Sequence, residues 1–238
     1  MIPARYDSQR FPGKLMKDLA GKTVIRRTYE AALSSGLFDE VLVITDSELI
    51  YEEIQKHGGK AMMSQGQHAT GTDRIAEFAS ATDAGIIINI QGDEPFINTE
   101  ALQMLIEAFE NDTYEVIDIA SLMIKIDNKE DFLNPNNVKV VTDTDGFAMY
   151  FSRAPIPYSR DNVFEKAYKH IGVYAFRKEI LEEIADLPQT DLEQIEKLEN
   201  LRFLQNGMMI KMLETGMVNF GIDTEEDLQK AIEFFRNH

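Results

Sequence analysis

The segment Ile86-Ile-Ile-Asn-Ile90 constrains the fold of this chain more than any other. A short, nearly continuous β-branched run reads as a strand buried on both faces, as in a parallel sheet. It has company. Val41–Thr45 reads the same way, followed by Asp46 and a helical pattern to about His57 that Gly58-Gly59 closes. Lys60–Met63 is a short strand, 71–82 a helix, and 99–110 a helix with Leu102, Leu105, Ile106 and Phe109 on one face. Strands alternating with helices predict an α/β, Rossmann-like, mostly parallel sheet with helices on both faces. Ligands of such sheets lie at the carboxyl ends of the strands, which singles out the loops after Pro3, Thr45, Met63 and Ile90.

From about residue 115 the pattern changes. Strand-like runs at 117–125, 138–142, 147–151 and 170–176 have few helical patterns between them. An antiparallel insertion, or an extension of the same sheet, is expected there. Helices return at 178–186, 191–206 and 225–236. No linker, repeat or low-complexity tract divides the 238 residues, so one domain is expected. Only Met1 and Ile2 precede Pro3, whereas a strand usually has about five residues. Either the first strand is short or the native start lies upstream.

Charge narrows the function. The chain carries 24 Lys+Arg against 41 Asp+Glu, a net charge of −17. That argues against a nucleic-acid surface, which needs a broad basic face. Residues 1–27 invert the balance, with seven basic residues against Asp7 and Asp18. Arg5, Arg10 and Lys14, together with Ser8 and the Pro12-Gly13 turn, form a loop suited to a small polyanion; the alternative is a solvated basic turn. The loop matches neither GxxxxGK[ST] nor GxGxxG. Cysteine is absent, which excludes disulfides, zinc-thiolate sites and cysteine nucleophiles. With neither a bilayer-length apolar run nor a signal-peptide core, the expected location is the cytoplasm.

Asp93, in Gln91-Gly-Asp-Glu-Pro95, stands just after the strongest strand and suits a divalent cation, unless it and Asn98 only mark a turn and cap the next helix. Asp223, in Gly221-Ile-Asp-Thr-Glu225, repeats the pattern and also reads as a helix cap. The turn Ala69-Thr-Gly-Thr-Asp-Arg74 offers hydroxyls and N–H groups to a nucleoside and an arginine to phosphate. Arg153, Arg160, Lys169 and His170 are cationic positions for an acidic substrate. Glu193, Glu196 and Glu199 share a helical face that reads as solvated.

Taken in order, IPARYDSQRFPGK (2–14), AGK (20–22), TGTDRIAE (70–77), NIQGDEPFI (89–97), NPNNVKVV (134–141), YFSRAPIPYSRD (150–161), YKHIGVYAFRK (168–178), LEQIEKLENLRFLQNG (192–207) and GIDTEEDL (221–228) resemble the 3-deoxy-manno-octulosonate (KDO) cytidylyltransferases over essentially the whole chain. The resemblance implies a nucleotide-diphospho-sugar transferase-like fold with an inserted, strand-rich dimerisation region. It implies a CTP-binding half (1–112), an acceptor and dimerisation half (113–221) and a C-terminal helix (222–238). The implied reaction is CTP + KDO → CMP-KDO + pyrophosphate, for the lipopolysaccharide inner core, with magnesium and a homodimer. Carried over by position, Arg5, Arg10 and Lys14, with Ser8, hold the phosphates, and Ala4, Thr70, Gly71 and Arg74 the cytidine. Asp93 and Asp223 ligate magnesium. Gln91, Arg153, Arg160, His170, Tyr174, Glu193 and Glu196 line the sugar. Thr70 stands where the family usually has Ser, and Asp7 brings a negative charge to the phosphate loop. A related acidic sugar, 8-amino-KDO or a nonulosonate, is the alternative substrate. A non-catalytic regulator should have lost one of Arg5, Lys14, Asp93 or Asp223. A glycosyltransferase would usually place Asp-x-Asp where Gly92-Asp93-Glu94 stands.

Overall fold

The computed structural model describes residues 1–7, 11–66, 68–160, 166–216 and 221–237. In chain order its elements are β1 (Ile2–Ala4), β2 (Asp18–Leu19), β3 (Lys22–Thr23), α1 (Val24–Ser34), β4 (Val43–Thr45), α2 (Glu48–Lys56), β5 (Ala61–Met63), α3 (Gly71–Ala76), β6 (Ile86–Asn89) and α4 (Thr99–Glu110). There follow β7 (Ile119–Lys125), α5 (Lys129–Leu133), β8 (Lys139–Thr142), β9 (Ala148–Ser152), β10 (Tyr168–Arg177), α6 (Lys178–Asp186), α7 (Asp191–Glu196), α8 (Asn200–Gln205), β11 (Ile210–Glu214) and α9 (Glu225–Asn237). The chain forms two compact units, one of residues 1–83, 88–103 and 219–238, the other of 84–87 and 104–218.

The first unit is built on parallel strands. β1 pairs with β4, and β4 with β5. Met1 N donates to Ile88 O at 2.6 Å and Ile90 N to Met1 O at 3.1 Å, which lays the 88–90 segment beside β1. The first strand is short, three residues, but every one of them is buried. Helix α1 starts where Thr23 Oγ1 accepts from Arg26 N, and it buries Val24, Ile25, Thr28, Tyr29 and Ala32. Those positions form one stripe at helical spacing, the face a helix needs to lie on a sheet. Gly92 packs closely: a Cβ there would meet Pro3 O at 3.1 Å and Leu15 Cδ1 at 3.2 Å, so its neighbours would have to give way.

The second unit carries the antiparallel grammar. β7 is central, pairing antiparallel with β10 and parallel with β11; β10 pairs antiparallel with β8, and β8 with β9. Five successive residues of β7, Ile119–Met123, are buried, as expected of a strand covered on both faces. The expected strands at 117–125, 138–142, 147–151 and 170–176 are present with shifted ends. Two expected helices differ. The run 71–82 is a short α-helix to Ala76 followed by a 3₁₀ turn at Ala79–Ala81. The run 191–206 breaks at Lys197, whose left-handed backbone (φ 55°, ψ 49°) ends α7 and leaves α8 as a separate turn. Among the described residues no helix is long and apolar enough to cross a membrane.

Candidate active site

In the first unit the basic loop meets two carboxylates. Gly13 takes a left-handed conformation (φ 67°) that a side chain would strain, and its N–H donates to Tyr6 O at 3.2 Å. The chain then enters a 3₁₀ turn, Lys14–Met16, with Leu15 buried as its anchor. This turn presents the Lys14 ammonium to Asp93 and, at 2.9 Å, to Asp223 Oδ1. Ile222 N donates to Asp93 O at 2.9 Å, so the backbone itself holds the two acidic segments together. Burial alone would lower the Lys14 pKa, but Asp93 and then Asp223 outweigh it and hold the ammonium above the usual lysine range.

Other residues carry the helix caps that the sequence also offered to the two aspartates. Asn98 caps α4, its Oδ1 accepting from Glu100 N at 2.7 Å. Thr224 caps α9, its Oγ1 accepting from Asp227 N at 3.2 Å while Asp227 returns the bond to Thr224 N at 2.9 Å. These caps are made by Asn98 and Thr224, and the Asp93 and Asp223 carboxylates both reach the Lys14 ammonium. Among the described residues no three His, Cys, Asp or Glu gather into a metal cage. Two carboxylates that already share one positive charge fit a magnesium ion completed by phosphates and waters, the usual arrangement for that ion.

In the nucleoside turn Thr70 and Asp73 form a reciprocal capping box, each side chain accepting from the other's N–H at 3.1 Å, which starts α3 and leaves the Thr70 O–H as a donor. Arg74 is buried; Nη2 donates to Asp46 Oδ2 at 2.6 Å and Nη1 to Ser64 Oγ at 2.5 Å. It therefore ties the loops after β4 and β5 to α3. Gln91 Nε2 donates to Asn89 Oδ1, and Asn89 Nδ2 to Thr72 Oγ1, both at 3.2 Å. Gly71 lies against Pro3 and Gln91, where a Cβ would come within 3.0 Å of Pro3 Cγ. Ala4, at the end of β1, is buried, and Arg5 is exposed. Ser8 and Arg10 lie outside the described residues.

The N-terminal charge count overstates the free cations. Lys22 and Arg26 both bind Glu30 on α1's own surface. Arg27 donates to Leu19 O at 3.0 Å and lies 4.3 Å from the Phe235 ring. These three belong to the scaffold.

In the second unit Glu196 meets one other expected acceptor residue, Arg153, together with Ser152. Its carboxylate accepts from Ser152 Oγ at 2.6 Å and from Arg153 N at 2.9 Å. The Arg153 guanidinium donates to Glu196 O at 2.7 Å and to Pro135 O at 3.1 Å. Arg160 is exposed. Glu193, expected on a solvated face, is 3% exposed. It completes a capping box with Thr190 and lies 3.4 Å from the buried Arg202 Nε. The break at Lys197 takes Glu193 and Glu196 off the face expected to continue to Glu199.

His170 and Tyr174 belong to an aromatic layer. The His170 ring lies between Phe151 (5.1 Å) and Tyr174 (5.3 Å), and Tyr174 continues to Phe176 and Phe203. His170 as a residue is only half-buried. Its imidazole, however, is enclosed, and burial pushes its pKa down to about 3. That direction disfavours a cationic His170 and leaves the ring to act by its hydrogen bonds. Its Nε2 is 3.0 Å from Ser121 Oγ, which is itself 2.8 Å from Val173 O, inside the irregular stretch of β10 between Ile171 and Tyr174. Tyr174 is buried; that burial, then Glu199, pushes its phenol well above the usual range, against a hydrogen bond to Asn200.

Sequence reasoning gave no role to Lys139. It is fully buried, with Nζ donating to Asn134 O at 2.9 Å, to Arg153 O at 2.7 Å and to Asn137 O. Burial, then the Arg153 charge, pushes its pKa down, while Glu196 opposes.

Paired carboxylates behind a basic loop, on a Rossmann-like frame, define a nucleotidyltransferase of the nucleotide-diphospho-sugar transferase fold. That fold is shared at 18% identity with 4-diphosphocytidyl-2C-methyl-D-erythritol synthase of Anaerococcus prevotii (TM-score 0.63; 99% of this chain, 96% of that one). A family model described as cytidylyltransferase matches residues 1–211, and the chain belongs to that family, in its CMP-KDO synthetase branch. It is 53% identical over 238 residues to the 3-deoxy-manno-octulosonate cytidylyltransferase of Flavobacterium johnsoniae, covering 100% of this chain and 98% of that protein. The protein of that description from Christiangramia forsetii is 54% identical over 232 residues, covering 97% and 94%. A solved structure of CMP:2-keto-3-deoxy-manno-octonic acid synthetase complexed with CTP superposes with a TM-score of 0.93 at 38% identity, covering 99% and 97%.

Proposed function

We propose that this cytidylyltransferase activates KDO with CTP, releasing pyrophosphate and forming CMP-KDO for lipopolysaccharide inner-core synthesis. The observation that carries the reading is the convergence of Asp93 and Asp223 on the Lys14 ammonium. The anomeric hydroxyl of the sugar attacks the α-phosphorus; a C–O–P bond forms, the bond to the β-phosphate oxygen breaks, and the hydroxyl proton leaves to solvent. Attacker and electrophile are both anions, so the site must first quench repulsion. Arg5, Arg10 and Lys14 take up the charge of the triphosphate and of the leaving pyrophosphate. Held by Asp93 and Asp223, magnesium would supply charge neutralisation at the phosphates. Ala4 and the 70–74 turn hold the cytidine, the turn doing so as a rigid capped helix start that Arg74 anchors from behind. Gln91 and the second-unit residues Arg153, Arg160, His170, Tyr174, Glu193 and Glu196 serve the acceptor side. Positioning supplies most of the acceleration, as is general for phosphoryl chemistry.

We further infer a cytoplasmic homodimer. Met149 (64% exposed), Tyr158 (85%) and Ile195 (76%) give the second unit apolar surface for a second copy. Light scattering coupled to size exclusion tests it, a monomer at micromolar concentration refuting it.

The first experiment is pyrophosphate release with CTP and magnesium against KDO, 8-amino-KDO and sialic acid in parallel. Release with KDO alone, or strongly favouring it, supports the reading. Release only with another acid keeps the chemistry and changes the substrate. Absence of release from folded protein overturns it.

A further inference from the structure

The structure assigns Lys139 a role in positioning the acidic acceptor: its buried ammonium braces the Asn134–Asn137 turn against the backbone of Arg153. The inference rests on the acceptor reading of Arg153 and Glu196 given above.

A lysine with no exposed surface in a strand flanked by Val138 and Val140 is costly on stability grounds alone. Burying an ammonium costs several kcal/mol, and an apolar residue of similar volume is often neutral or better. Here the charge is met by three backbone carbonyls, Asn134, Asn137 and Arg153, which together match the three N–H bonds of an ammonium. No hydrogen bond or ion pair joins it to a carboxylate among the described residues. The group is satisfied in geometry but not neutralised in charge.

Its bonds also form a closed circuit. Lys139 joins the turn to Arg153 O. The Arg153 guanidinium joins the same turn, at Pro135 O, to Glu196 O. The Glu196 carboxylate returns to Arg153 N and to Ser152 Oγ. Lys139 and Arg153 are two cations in this circuit beside the Glu196 carboxylate, and the Asp131 carboxylate holds the same turn, its Oδ1 accepting from Asn137 Nδ2 at 3.2 Å. What Lys139 contributes is therefore the placing of Arg153, the cation that would face the carboxylate of a sugar acid. Lys139 is buried, so it acts through Arg153 and the turn rather than by contact, which makes it a positioning residue.

The test is steady-state kinetics of Lys139→Met and Lys139→Gln, with KDO and CTP varied separately and folding checked by circular dichroism. Met removes the charge and all three donors; Gln removes the charge and one donor but keeps two. The expected result is a KM for KDO raised about tenfold or more in both variants, with the KM for CTP within about twofold of wild type, the signature of lost acceptor binding. A purely structural lysine predicts otherwise: a lower melting temperature, with both KM values moving together or neither moving. Either outcome overturns the inference. If Lys139→Met does not fold, Lys139→Gln decides alone. Failure of the functional reading is seen separately, in the wild type. If the wild type uses another acid, the split is read with that acid. If it uses none, both readings fall.

Discussion

Two lysines, Lys14 in the first unit and Lys139 in the second, are held in opposite ways. In the first, Lys14 is bound side chain to side chain, to Asp93 and Asp223, with Asp223 41% exposed. In the second, Lys139 and Arg153 are bound mainly to backbone carbonyls. An ion pair between side chains can change partners without moving the backbone, and the Asp223 side is partly open to solvent. An incoming triphosphate can take over Lys14, and an incoming cation can take over the carboxylates. A cation bonded to backbone carbonyls cannot leave without disturbing the fold. One arrangement suits chemistry in which charges change partners; the other suits holding a surface in fixed shape. The two architectures therefore predict different mutant phenotypes.

The largest effect is expected at the exchangeable site. Asp93→Asn and Asp223→Asn should each lower kcat by at least about a hundredfold, the order found when one preorganised electrostatic group is lost. Each should leave the melting temperature near wild type, because Asn98 and Thr224 make the helix caps. Kinetics and melting on the same preparations check this. Near-normal turnover in either variant, or collapse of the fold, would remove the distinction between the units.

That contrast also explains what was legible in the sequence. Asp93 and Asp223 stand just past apolar runs at the ends of elements, where ligands of parallel sheets gather, so position alone flagged them. Helices 99–110 and 178–186 were readable to their ends because their apolar stripes are strong. The second unit was harder. Lys139 reads as an ordinary polar residue on a strand, and its burial depends on carbonyls of Asn134, Asn137 and Arg153 that only the folded chain assembles. Glu193 reads as solvated because its partners, Thr190 and Arg202, leave no periodic signal. The break at Lys197 was invisible because a left-handed residue is usually Gly or Asn. The capping box at Thr70 was legible too, as Thr-x-x-Asp, although the turn was read only for its ligand-binding groups.

A second prediction sharpens the view of the second unit as scaffold. His170 has a pKa of about 3 in the folded chain, against about 6.5 when unfolded. Between those values the unfolded chain binds a proton that the folded chain does not. Stability is therefore retained above pH 6.5 and falls as the pH drops toward 3, with a slope of up to ~1.4 kcal/mol per pH unit from this group. Urea denaturation at pH 7 and pH 5 should show a smaller acid-side loss for His170→Gln than for wild type. Equal losses in both proteins would mean that His170 titrates normally, and the ring would again qualify as a cation for the sugar acid.

The smallest effect is expected at the corner that brings the Glu196 carbonyl to Arg153. Lys197 adopts the left-handed conformation there, which costs a non-glycine residue about 1 kcal/mol. If the second unit works through backbone placement, the charge of Lys197 is dispensable and its conformation is not. Lys197→Gly relieves the strain but gains flexibility when unfolded, so stability should rise by no more than about 1 kcal/mol. Lys197→Val, β-branched and poorly suited to positive φ, should lose at least about that much and raise the KM for the sugar acid as the corner shifts. Denaturation midpoints and acceptor KM values of the two variants separate conformation from charge. Parallel behaviour of Gly and Val, both losing acceptor affinity, would assign the role to the lysine's charge and count against a backbone-built acceptor surface.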